Sequence, residues 1–155
     1  MGLFTRVRGK VEVFSVIHGG EPLTVPGIVT GAAYAAGDAF GTKFGLRAPK
    51  EGVIATANFL DHDNEGLPKE LWLLRADFTG TADNAAFALT DGDLSKVVGV
   101  IVFDTFRAAN ANRVGGATPA LYYKAPSGLL YCQFVTRGTD NIAAGKIPEF
   151  FLVVN

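Results

Sequence analysis

Apolar side chains arrive in this chain as short, alternating, β-branched runs, and glycine or proline interrupts almost every one. Alternation with period two places successive side chains on opposite faces of an extended strand, so such runs read as strands and their interruptions as turns. Lys10–Ile17, with Val11, Val13, Val16 and Ile17, is the first run, and His18-Gly19-Gly20 ends it. Leu23–Thr30 holds Pro26 and Gly27 and follows Pro22, which restricts any strand there to an edge or breaks it. Ala39–Leu46, Val53–Leu60, Glu70–Phe78, Val97–Phe103, Ala120–Lys124, Leu129–Thr136 and Phe150–Val154 complete the set. Pro126-Ser127-Gly128 reads as the turn of a hairpin, and Arg107–Ala117, with two asparagines and two glycines, reads as a loop.

Helical signal is confined to Thr90-Asp91-Gly92-Asp93-Leu94, where Thr90 or Asp91 suits an N-cap and acid falls in the first turn. The β-branched run from Val97 leaves room for only one or two helical turns. About eight or nine short, evenly spaced strands and one short helix predict an all-β fold, an antiparallel β-sandwich or jelly roll. Within it, Leu71-Trp72-Leu73-Leu74 is apolar on both strand faces, which predicts burial on both sides or a partner over one of them.

A chain of 155 residues is the size of one domain, and nothing in residues 1–155 reads as a linker or an internal repeat. Hydrophobic residues make up 48% and charged residues 19%, below the charged share of about 25% in ordinary soluble domains. The apolar surplus points to surface covered by a partner. Net charge is −1, which argues against nucleic acid or an anionic membrane as partner. The charge is unevenly spread: residues 1–50 carry six basic and three acidic side chains, 51–105 three and ten, and 106–155 five and two. Such a division suits complementary contacts between neighbouring subunits. The lone Cys132 allows no internal disulfide, and no apolar run is long enough to span a bilayer or act as a signal h-region. These features predict a protein made in a reducing cytoplasm.

Catalytic patterns are missing. His18 and His62 sit in turns outside any nucleophile motif, and Ser15, Ser95 and Ser127 lack a G-x-S-x-G frame. Cys132 alternates within a strand, as a buried thiol does. Asp61-His62-Asp63-Asn64-Glu65-Gly66 begins like a calcium loop, but Trp72 stands where the bidentate glutamate belongs. Asp91 and Asp93 are explained as helix-start acids, and Gly145-Lys146 lacks the upstream glycine and the following Ser or Thr of a phosphate loop. The expectation is a structural or binding subunit, not an enzyme, with no catalytic, metal or cofactor residues. Leu3, Phe4, Arg6, Arg8 and Lys10, ahead of the first strand, form a candidate docking arm within residues 1–10.

One series of short blocks adds to this. Asp83-Asn84-Ala85-Ala86-Phe87, then Asp91, Asp93 and Leu94, then Val98-Gly99-Val100, follows the strand at Leu71–Leu74. Leu130-Tyr131 and Val135-Thr136-Arg137-Gly138-Thr139 come later. The series, spread over residues 30–139, resembles the capsid decoration (cement) proteins of tailed bacteriophages, a jelly-roll family. The resemblance implies a virion protein on the outer capsid surface, made in the host cytoplasm, bound to the major capsid protein and to itself as a homotrimer. It brings no catalytic residues. The alternative is a carbohydrate- or receptor-binding module of a phage tail or fibre, with Trp72, Tyr122, Tyr123 and Tyr131 as aromatic platforms.

Overall fold

The computed structural model describes residues 4–7, 11–15 and 21–155, with side chains described from residue 21 onward. The described strands are β1 (Phe4–Val7), β2 (Val11–Ser15), β3 (Leu23–Thr24), β4 (Ala39–Arg47), β5 (Glu51–Asp61), β6 (Lys69–Leu74), β7 (Val97–Phe103), β8 (Phe106–Ala109), β9 (Asn112–Ala117), β10 (Leu121–Lys124), β11 (Leu129–Thr136) and β12 (Glu149–Val154), with one helix, α1 (Asp91–Leu94). They build two sheets that face each other as a β-sandwich. Sheet A runs β1-β2-β4-β11-β6-β7. Sheet B runs β3-β12-β5-β9-β8, with β10 pairing the first residues of β5 and β9 the last. Every pairing is antiparallel except β2 with β4. The all-β class and the single helix agree with the sequence pattern, and Thr90 caps α1 by accepting from the Asp93 N–H.

Twelve described strands exceed the eight or nine expected, and the surplus has physical causes. The segment read as a loop is the β8–β9 hairpin, its tip turned by Asn110 at φ 57°. Its alanines and glycines carry little strand propensity, which hid it. Gly115 is required there: a Cβ would fall 2.7 Å from the Phe106 ring, which packs edge-on against Phe59. The segment ahead of Lys10 contains β1, which pairs with β2 at the edge of sheet A. Of the proposed arm, Leu3, Arg8 and Lys10 lie outside the described residues, and Phe4 and Arg6 are described only as β1 backbone. Pro126-Ser127-Gly128 does turn the chain, with Gly128 N–H donating to Ala125 O, but it is not a hairpin. It carries the chain across the sandwich, because β10 pairs with β5 in sheet B and β11 with β4 and β6 in sheet A.

The core is aromatic. Phe134 on β11 is fully buried, with Phe44, Phe59, Phe103 and Phe150 rings at 6.1, 5.6, 6.4 and 5.0 Å. Burying each such ring is worth about 1.5–3 kcal/mol. A two-residue bulge in β4, opposite Cys132 and Phe134, keeps Phe40 and Phe44 on the inner face. Gly41 makes the bulge: its φ is 85°, and a Cβ would meet Pro26 O at 2.3 Å. Lys69 and Asp140 carry charge into one end of this core.

Candidate docking surface

The inner faces of both sheets are spent on the core, so any site must lie on an outer face, an edge or an end. The two outer faces differ. On sheet A, the outward side chains of β6 and β11 include Trp72, Leu74, Gln133 and Val135. The chain covers them itself. After β6, residues 75–90 fold back over the sheet as a strap, and Phe87 sets its ring 5.2 Å from Trp72. Gln133, fully buried, fastens the strap: its amide accepts from Thr81 N–H (3.0 Å) and donates to Thr81 O (2.6 Å) and Gly41 O (3.1 Å). Asp83 fastens it again, accepting from Tyr34 Oη (2.7 Å), Gly41 N–H (2.7 Å) and Val29 N–H (3.0 Å). Burial, then the Asp83 bond and charge, push the Tyr34 hydroxyl far above its usual range. Leu71, Leu73 and Leu74 are thus fully buried and Trp72 half-buried; of the two expectations, burial on both sides or a partner over one, the cover found comes from the same chain.

Sheet B carries no such strap. Its outward side chains are Thr56, Asn58 and Leu60 on β5, Phe151 and Val153 on β12, and Val114 and Gly116 on β9. Register brings them together: Phe151 stands opposite Asn58, Asn58 opposite Gly116, and Leu60 opposite Val114. None belongs to the core cluster, and Val114 is 40% exposed. Among the described residues, no hydrogen bond ties another segment across this face. Charge lies at its margins, in the His62 Nε2–Glu149 Oε1 pair (2.8 Å) and in Arg107 on β8. Two shallow grooves mark the β5–β9 seam. One, of 210 Å³, is lined by Thr56, Asn58, Gly116 and Thr118; the other, of 170 Å³, by Leu60, His62, Asn112 and Val114. An apolar, weakly charged, grooved face of this kind is what a protein partner covers.

The residues singled out for chemistry are accounted for elsewhere. Cys132 is fully buried, and burial pushes its thiol well up, away from the reactive thiolate. In the calcium-like turn the carboxylates bind backbone: Asp61 accepts from Asp63 and Gly66 N–H, Asp63 from Ala143 N–H, and Glu65 from Asn141 N–H. That turn splices the β5–β6 connection onto residues 141–143. Among the described residues, no group of three or more His, Cys, Asp or Glu is arranged to hold a metal ion. Asp93 is held by Thr79 N–H and Lys96, and Ser95 closes the helix by donating to Gly92 O. Gly145 and Lys146 form a plain turn, with Lys146 N–H donating to Ala143 O. Ser15 is described only as β2 backbone, and His18 lies outside the described residues.

The four aromatics proposed for sugar binding are not brought together. Trp72 lies under Phe87, Tyr123 is 1% exposed in the core, and Tyr122 is exposed with its hydroxyl on Glu51. Tyr131 lines a cavity of 370 Å³ shared with Arg75, Asp77, Pro126 and Ser127 at the end of the sandwich. Sequence reading missed the face of sheet B. Its signal was present in Phe150-Phe151-Leu152-Val153-Val154, which is apolar on both strand faces. No protein-family model, no curated protein and no solved structure matches this chain.

Proposed function

We propose that this chain is a structural virion protein that decorates and stabilises the capsid of a tailed bacteriophage. The observation that carries the reading is the apolar outer face of sheet B, where Val114 is exposed and Leu60, Phe151 and Val153 are half-buried, with no described segment strapped over it as residues 75–90 are over β6 and β11. The resemblance over residues 30–139, densest in 71–100 and 130–139, supplies the class of partner: the major capsid protein, with further copies of the chain in a homotrimer. Its site would be the outer capsid surface.

The mechanism is mass action. A subunit that binds only the assembled shell raises the free energy of opening it by RT ln(1 + [L]/Kd) at each site. Closed symmetry multiplies modest contacts, because each copy presents the same patch. Bond-making chemistry plays no part in this mechanism.

Copy number in purified particles tests the reading. A decorating subunit is present in hundreds of copies; absence from virions, or a handful of copies, would overturn it. The tail or fibre receptor module remains the second reading because of the cavity beside Tyr131 and Arg75. Saturable glycan binding lost in Tyr131→Ala would favour it.

A further inference from the structure

Lys69 opens β6, and its register partner on β11 is Thr136. Four residues after Thr136 comes Asp140, and the two charged side chains meet inside the sandwich. Lys69 Nζ lies 2.6 Å from Asp140 Oδ1, with 3% and 1% of the two side chains exposed. The amine also donates to Leu67 O at 2.7 Å. Above it lie the Phe40 and Phe59 rings, 5.0 and 5.7 Å from Nζ to centroid. Asp140 Oδ2 accepts from the Thr136 hydroxyl, and that hydroxyl is itself fixed by the Gly138 N–H at 3.1 Å.

We propose that Lys69 and Asp140 condense into an intramolecular isopeptide bond. Water is excluded by the two phenylalanine rings, and an apolar surround disfavours both charges of an ion pair. Burial, working against the nearby Asp140, Asp61 and Glu65, lowers the Lys69 ammonium below its ordinary range. Passing one proton from nitrogen to carboxylate leaves a neutral amine against a neutral carboxylic acid. Nζ then attacks Cγ, and the N–C bond forms. The negative charge that develops on Oδ2 falls where the Thr136 hydroxyl already donates, a preorganised stabilisation of an oxyanion. A second proton moves from nitrogen to the departing hydroxyl, the C–O bond breaks, and one water leaves. The product is an amide whose remaining N–H keeps Leu67 O as acceptor. Lys and carboxyl are supplied by the fold, so no co-reactant is needed, and the packed geometry converts an improbable encounter into a local one. The link would join the start of β6 to the loop after β11, across 71 residues of chain. This inference does not depend on the capsid reading.

Intact-mass spectrometry of the purified full-length protein tests it. The expected mass is the sequence mass less one water, with a branched peptide after digestion that joins Lys69 to Asp140 and no tryptic cleavage at Lys69. Lys69→Arg and Asp140→Ala should have full sequence mass, and Thr136→Val should cross-link more slowly than wild type. Wild-type protein at full sequence mass would overturn the proposal, whether or not the variants fold. So would a lost water that maps elsewhere, such as to a succinimide at Asp91-Gly92.

Discussion

The outer faces of the two sheets are built from similar residues and are covered to different extents: Leu74 and Val135 on sheet A are fully buried, Trp72 and Phe151 are each half-buried, and Val114 on sheet B and Val102 on the last strand of sheet A are exposed. Trp72, Leu74 and Val135 on sheet A are no more apolar than Leu60, Phe151, Val153 and Val114 on sheet B. What separates them is the connection that follows. After β6 the chain spends residues 75–90 crossing its own sheet before it reaches α1, and polar side chains at Gln133 and Asp83 lock it there. After β5 and β9 the connections leave by the ends of the sandwich. A sheet face that needs cover obtains it either from its own chain or from another molecule, and this fold uses the first solution once. The contrast is why the proposed docking role falls on sheet B, since the strapped part of sheet A is spent on folding.

If the strap is what seals sheet A, cutting its fastenings must cost folding free energy. Asp83→Ala has the largest expected effect. It strips one carboxylate from Tyr34, Val29 and Gly41 together, and hydrogen bonds to a charged group are each worth about 1.5–3 kcal/mol. Urea unfolding should show a loss of about 3–5 kcal/mol. A loss below about 1 kcal/mol would break the comparison, because the strap would then be resting on the sheet and not fastened to it. Gln133→Leu comes next. It keeps the volume and removes the acceptor and donor that satisfy Thr81 and Gly41, so a loss of about 2–3 kcal/mol is expected in the same measurement.

Sheet B should respond in the other sense. Phe151→Ser combined with Val114→Ser should change subunit stability by no more than about 1 kcal/mol, because both side chains stand outside the core cluster. The same pair should lower occupancy on purified capsids at least about tenfold, which corresponds to about 1.4 kcal/mol of binding. Full occupancy with the pair replaced would remove sheet B as the docking face and leave the decorating role to another surface. Severe destabilisation would show that the face is part of the folding core.

Much of this was legible in the residues, and the failures are instructive. Short apolar runs, alternating in β5 and apolar on both faces in β6 and β12, located β4 to β7, β11 and β12, because each sends side chains into the aromatic core. The Thr90 cap located α1 for a local reason, a side-chain oxygen three residues before an N–H. The β8–β9 hairpin was hidden because its strands are made of small residues chosen to let Phe106 lie over Gly115, a tertiary demand with no local trace. The turn at Pro126-Ser127-Gly128 was recognised and its consequence was not, since a tight turn looks the same whether its flanking strands pair with each other or part to different sheets. The candidate surface was harder still. Strand patterns reveal which residues could be exposed and apolar; only the path of residues 75–90 reveals that the chain itself covers much of one face.

The smallest expected effect probes the rim of the sealed face. Glu70 points outward from β6, its carboxylate taking two bonds from Arg137 (3.0 and 2.8 Å) and one from Trp72 Nε1 (3.0 Å). Burial pushes its pKa up, but the Arg137 and Trp72 bonds and the Arg137 charge outweigh burial and hold it below the usual glutamate range. A carboxyl whose pKa is lower folded than unfolded binds protons more readily in the unfolded chain. Its stabilising contribution is therefore complete above the unfolded value of about 4.3 and fades as pH falls through the lower folded value. Arg137 is partly exposed, so screening limits the pair to about 1 kcal/mol or less. Glu70→Gln should be slightly less stable than wild type at neutral pH, with the difference shrinking as pH falls from about 5 to 3. A difference that persists unchanged at low pH would mean that Glu70 acts through the shape of its contact with Trp72 and not through its charge, and that this part of the rim of sheet A is held by packing rather than by its ion pair.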